Sequence, residues 1–172
     1  MESNKPNAFK VKEICQLGMV VKDLDRVVED WSTRFGFGPW SFHDIPGMRV
    51  GCVFVGPIEF EIAQPVEGYP QEGAAKILCD YLDTWGDGVH HVGFPVDDVE
   101  EEAAGLESQG VKVLAQGGGT YAYVESGGPG SMIFELMQRS AYDLIKEKGL
   151  DGYVEEMMKQ SQSTNRGEDE SK

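Results

Sequence analysis

The stretch Gln16-Leu17-Gly18-Met19-Val20-Val21-Lys22-Asp23-Leu24-Asp25 has a counterpart further along the chain in His91-Val92-Gly93-Phe94-Pro95-Val96-Asp97-Asp98-Val99-Glu100. Each reads as a short apolar strand that ends at an aspartate and passes into a helix. Asp23 and Asp98 suit the N-cap, where a carboxylate accepts from the free N–H groups of the first turn. After Asp23, the residues Leu24, Val27, Val28, Trp31 and Phe35 fall on one helical face. Gly36 is placed to end that helix. After Asp98, a helix is predicted to Gln109 and Gly110. Its inner stripe is Val99, Ala103 and Leu106, and Glu100, Glu101 and Glu102 belong to a solvated surface.

Three strand candidates follow each helix. They are Pro39–Asp44, Met48–Val55 and Ile58–Gln64, then Val111–Gln116, Thr120–Glu125 and Met132–Gln138. Turns such as Gly56-Pro57 and Gly127-Gly128-Pro129-Gly130 separate them. The pattern predicts an α+β fold of two tandem βαβββ modules, residues 12–65 and 89–138. A linker over 66–88, with a helix near Glu72–Leu82, joins them. A helical extension follows over 139–160, interrupted near Gly149 and Gly152. The acidic tail, 161–172, lacks apolar residues and is expected to be disordered.

Composition narrows the function. Thirty acidic residues against 15 basic ones leave a net charge of −15 over 172 residues, and the basic residues are scattered. That argues against nucleic acid, which needs clustered Lys and Arg. A strongly anionic ligand would also need a local basic patch to overcome this field. No apolar run approaches the ~20 residues of a membrane helix, and Met1–Lys12 has no apolar signal core. Cys15, Cys52 and Cys79 are odd in number and lack CxxC spacing, so they read as reduced, buried cysteines of a cytoplasmic protein.

Alternation along the strands selects the candidate site. Leu17, Met19 and Val21 share an apolar face opposite Gln16, Gly18 and Val20. Ile58, Phe60 and Ile62 lie opposite Glu59, Glu61 and Ala63. Val92, Phe94 and Val96 lie opposite His91, Gly93 and Pro95, and Met132, Phe134 and Leu136 opposite Ile133, Glu135 and Met137. Each strand has an apolar face and a polar, ligand-type residue on the other, and Glu61 follows Gln16 at almost the spacing by which Glu135 follows His91. A duplicated module would bring two donors from each half to a pseudo-twofold axis. His91 is preferred to His90 because QLGM aligns with HVGF. His90 then matches Cys15 and faces the other way, into the core, while His43 has no matching partner.

On these residues the chain resembles the vicinal oxygen chelate superfamily, which includes glyoxalase I, methylmalonyl-CoA epimerase, extradiol dioxygenases and bleomycin-resistance proteins. The resemblance spans Ile14–Gln138. It implies two curled half-barrels with a metal between them, held by Gln16 in QLGMVV, Glu61 in EFEIAQP, His91 in HVGF and Glu135 in MIFELMQ. One imidazole, one amide oxygen and two carboxylates suit a divalent ion such as Zn, Ni, Co or Mn.

The resemblance also sorts the chemistries. A single histidine disfavours the two-histidine iron site of extradiol dioxygenases. The family's glutathione-binding Arg and Asn would fall near Val20 and Pro65, which tells against a glutathione adduct. The reading is therefore a metal-dependent epimerase, racemase or isomerase that moves a proton α to a carbonyl, with Glu135 and Glu61 as acid–base groups, because the family's separate base would fall near Val50. The substrate is a small carbonyl compound, an aromatic or cyclic ketone or an acyl-CoA thioester. Trp40, Phe54, Tyr121 and Tyr123 are candidates to line its cavity, as are Phe42, Tyr81 and Trp85. The alternatives are a glyoxalase-type lyase and a metal-free small-molecule binder. Exposed sheet edges imply a homodimer.

Overall fold

The computed structural model describes residues 10–45, 47–66, 73–128, 132–149, 152, 153 and 155. The expected tail, the Glu72 start of the linker helix and the Pro129-Gly130 part of one turn lie outside them. In chain order the elements are β1 (Gln16–Val20), α1 (Leu24–Phe35), β2 (Ser41–Ile45), β3 (Met48–Val55), β4 (Ile58–Pro65), α2 (Gly73–Trp85), β5 (Gly88–Val96), α3 (Val99–Ser108), β6 (Val113–Gly117), β7 (Tyr121–Glu125) and β8 (Ile133–Gln138). A further helical stretch covers 139–149.

The strands form one mixed sheet, in the order β2-β3-β4-β1-β5-β8-β7-β6, curled into a half-barrel. Each half repeats the same local topology. β1 runs parallel to β4 and β5 parallel to β8, while the remaining neighbours within each half are antiparallel. The halves join through the antiparallel pair β1–β5, where Gln16 faces Gly93 and Gly18 faces His91. That register places the local twofold at Leu17 and Val92.

Local chemistry explains the helices. Asp23 is extended, and its carboxylate accepts from the Arg26 N–H at 3.0 Å. Asp98 does the same for the Glu101 N–H at 2.9 Å. α1 ends at Gly36, whose φ of 72° is open to glycine at no steric cost. α1 and α3 lie on one face of the sheet. α1 packs Leu24 with Met19, Val21 and Ile62, and α3 packs Val99 and Ala103 with Val96, Ala122, Val124 and Leu136. α2 lies on the other face, where Leu78 and Leu82 meet Val20, Val50 and Tyr123. It runs on to Trp85, past the expected end at Leu82. β2 begins at Ser41 rather than Pro39, because a proline has no N–H to give the ladder.

Candidate metal centre and the adjoining cavity

Four strands deliver the candidate donors. Because β4 and β8 flank the β1–β5 pair, Glu61 and Glu135 reach the seam from opposite sides, and Gln16 and His91 rise from the seam itself. His91 Nε2 lies 3.1 Å from Gln16 Oε1, 3.1 Å from Glu135 Oε2 and 3.9 Å from Glu61 Oε1. The four side chains thus converge on one point, and three of them, Gln16, His91 and Glu135, are buried.

Two glycines make this convergence possible. A Cβ on Gly18 would lie 1.9 Å from His91 Nε2, inside the ring's own space. Its repeat partner Gly93 faces Gln16, and a Cβ there would lie 2.8 Å from the Gln16 Cβ. Each glycine is the cross-strand floor beneath the donor of the other half.

Each donor on the seam has a supporting group. The Gln16 amide donates from Nε2 to Glu59 Oε2 at 3.2 Å and to Glu61 Oε2 at 3.3 Å. With a cation bound nearby the two carboxylates are ionised and accept only, which fixes which end of the amide faces them and leaves Oε1 toward His91. His91 Nδ1 lies 3.0 Å from His90 Nδ1. For His91 to present a lone pair at Nε2, its proton must sit on Nδ1 and be donated to a neutral His90. Burial, helped by the neighbouring His91, lowers His90 to about 3, so it stays neutral.

The place of His90 departs from the sequence expectation. The β1–β5 ladder slips at this point: Gly18 pairs with His91 and Met19 with Val89, so His90 is an extra, bulged residue. A bulge breaks the alternation of faces. His90 therefore turns beside His91 instead of away from it, with its ring 5.2 Å from Tyr81 and 5.8 Å from Tyr123.

The carboxylates show what burial costs an anion. Burial pushes Glu61 up to about 8, with Glu135 and Glu59 adding to the rise against the pull of His91. Burial also raises Glu59, although the Cys52 thiol and the Gln16 amide bond to it. His91 is raised: its own burial opposes the charge, but Glu135, Glu61 and Glu59 together outweigh that. Such a cluster of acids fits a cation.

Ligands about 2.0–2.2 Å from a metal stand roughly 3 Å from one another, as Gln16 Oε1 and Glu135 Oε2 do from His91 Nε2. Glu61 stands further off. Counting only His, Cys, Asp and Glu, no group of three among the described residues could hold a metal ion, so the fit depends on the amide oxygen of Gln16.

A cavity of about 500 Å³ opens beside this cluster. Glu61, Tyr121 and Tyr123 line it together with apolar side chains of β3 and α2. Trp40 and Phe54 do not line it. They border a smaller space of about 250 Å³ with Cys52 and Gly149. Trp40 packs on Trp31 and Phe37 and donates from Nε1 to Ser32 Oγ at 2.9 Å. Phe54 packs with Cys15, Met137 and Tyr142. Phe42 and Trp85 are exposed.

Residues 15–126 match the family model described as Glyoxalase/Bleomycin resistance protein/Dioxygenase superfamily. The chain belongs to that superfamily. Solved structures of similar fold include a methylmalonyl-CoA epimerase in complex with methylmalonyl-CoA and NH4+, at 23% identity and a TM-score of 0.62, covering 77% of this chain and 98% of the other. The Streptomyces coelicolor methylmalonyl-CoA epimerase in complex with 2-nitronate-propionyl-CoA matches at 22% and 0.61, covering 75% and 98%. The Mycobacterium tuberculosis enzyme matches at 20% and 0.58, covering 74% and 88%. At these identities the likeness shows the shared fold.

Within this superfamily member, sequence reasoning passed over Glu59 and gave no role to the two glycines. A signal existed for both. Glu59 shares the inner face of β4 with Glu61 by simple alternation, and Gly18 and Gly93 recur at the same place in each repeat. Nothing in the sequence signalled the bulge at His90.

Proposed function

We propose that this protein is a divalent-metal-dependent epimerase, racemase or isomerase that moves a proton on the carbon next to a carbonyl. The observation that carries the reading is the convergence of Gln16, Glu61, His91 and Glu135 beside a largely apolar cavity. Gln16, Glu61, His91 and Glu135 would hold the ion. When bound, a divalent ion supplies Lewis acidity that makes the C–H next to a carbonyl more acidic.

The chain's own residues do the rest. Glu61 and Glu135 approach the seam from β4 and β8, on its two sides, as inversion at one carbon requires. One carboxylate takes the α proton while the C–H electron pair moves toward the carbonyl. The other acid delivers a proton to the opposite face as that pair returns. Tyr123 packs against the His91 ring at 5.2 Å and helps hold it in place.

The test is isotopic. A chiral α-substituted ketone or thioester, incubated in heavy water with the metal-loaded protein, is expected to gain deuterium at the α carbon as it loses optical purity. Glu135→Gln should slow this by about 10²–10⁴-fold. Turnover without exchange, or full activity in that variant, would overturn the mechanism. Elemental analysis should find about one divalent ion per chain, with marked loss on His91→Ala. The outer strands β2 and β6 leave two sheet edges to be covered, so the proposal includes a homodimer. A single-chain mass in sedimentation would refute that part.

A further inference from the structure

Building on the proton-shift reading, we infer that the substrate is a compact, uncharged cyclic or aromatic ketone that fits inside the cavity, and not an acyl-CoA thioester or another anion. Apolar side chains line most of this cavity. Val50 and Met48 form its floor, Ala74, Ala75 and Leu78 of α2 form its roof, and Tyr121 stands at its side. Among the described residues that line it, Glu61 is the one charged side chain, and it is an acid. Apolar walls and a carboxylate reward a ligand that is apolar and uncharged.

Charge around the cavity strengthens the point. A coenzyme A thioester carries phosphates, and phosphate recognition calls for Arg or Lys in the right place. Among the described residues, the two basic side chains next in sequence to the lining each face a carboxylate at the surface. Lys76, the only basic residue of α2, is bonded to Asp80 at 2.5 Å. Arg49, next to Met48 and Val50 on β3, is bonded to Asp25 at 2.9 Å. Asp44 adjoins the exposed rim residue Ile45. Behind the wall stand two more carboxylates, Glu59 and Glu135. A divalent ion balances two of these acids, so even the loaded centre offers an anion little attraction.

Size points the same way. Sites of 300–1,000 Å³ enclose most of a drug-sized molecule, and 500 Å³ holds a two- or three-ring ketone. A coenzyme A moiety would have to leave the cavity and lie against the outside of a chain whose net charge is −15.

The experiment uses the full chain loaded with a divalent metal. Calorimetry would compare 2-methyl-1-tetralone and flavanone with two anions: a ring-carboxylated 2-methyl-1-tetralone and methylmalonyl-CoA. The neutral ketones are expected to bind at least tenfold more tightly than either anion. Ala75→Trp, which fills the space from the roof at a half-buried position, should weaken the ketones at least tenfold. Ala75→Arg, which adds the missing cation, should narrow the gap between the tetralone and its carboxylated twin. Methylmalonyl-CoA binding as tightly as the ketones, no binding by either neutral ketone, or ketone affinity untouched by both Ala75 variants would each overturn the inference. Ketones that bind as expected yet take up no deuterium would instead overturn the proton-shift reading and leave the substrate class standing.

Discussion

In the first half of the sheet the Asp23 carboxylate caps α1, and the Gln64 amide oxygen takes the Leu24 N–H at 2.7 Å. In the second half Asp98 caps α3, and Gln138 takes the Val99 N–H at 3.3 Å. The frame is thus duplicated down to single hydrogen bonds. The supports of the two central donors are not duplicated. Gln16 leans on a buried carboxylate, Glu59, where the matching position in β8 is Ile133. His91 leans on His90, where the matching position before β1 is Cys15. The difference follows from the donors. A primary amide has N–H groups that need an acceptor once its oxygen is committed. An imidazole has a second nitrogen that needs a partner to fix its tautomer. The repeated fold thus carries two unlike side chains at matched positions, and the neighbour of each has changed with it.

The largest effect should come from setting the two carboxylates against each other. Glu61→Gln and Glu135→Gln are each expected to cost about 10²–10⁴-fold in turnover. If both act on the substrate, the double variant should be no worse than a few-fold below the poorer single one. Independent, multiplying losses, measured in steady-state kinetics, would break the idea that the halves work as one unit.

The glycines offer a direct contrast between the halves. Gly18→Ala pushes a methyl into the His91 ring, whereas Gly93→Ala meets the Gln16 side chain nearer the backbone. Metal titration should show at least a tenfold loss of affinity for Gly18→Ala while circular dichroism stays native, because the far end of a side chain can move aside. Unchanged affinity would remove the glycine from the site.

The third effect is on stability against pH. The first half holds two acids raised by burial, Glu59 and Glu61, with Glu61 near 8. Between the ordinary carboxylate range and pH 8 the folded state keeps a proton that the unfolded state has lost. Stability of the metal-free protein should therefore fall as pH rises through that window. His91 is raised as well, so its contribution is present at low pH and is lost as pH rises through its folded value, in the same direction. The total is on the order of a few kcal/mol. Thermal melts from pH 5 to 9 should show the decline, and both Glu61→Gln and added divalent metal should flatten it. A flat profile in the metal-free protein would contradict the account.

The smallest effect sharpens the duplicated side of the comparison. Asp23→Ala and Asp98→Ala should each cost about 1 kcal/mol by denaturant melts, and the two should add, because the caps serve separate helices.

Much of this was legible in the chain itself. The two matched strand–aspartate–helix phrases determine the repeat, because alternation and helical spacing are local properties of consecutive residues. The same alternation puts Gln16, Glu61, His91 and Glu135 on inner faces. Tertiary structure decided the rest. Which aromatics meet the cavity depends on where α1, α2 and the 139–149 helix pack, so Trp40 and Phe54 turned to other contacts while Tyr121 and Tyr123 stayed. Whether Glu59 is solvent-exposed or buried depends on what covers β4 once the sheet curls. The pairing of His90 with His91 depends on a slip in the β1–β5 ladder. Such a slip arises between two distant strands, and no periodicity within either strand encodes it.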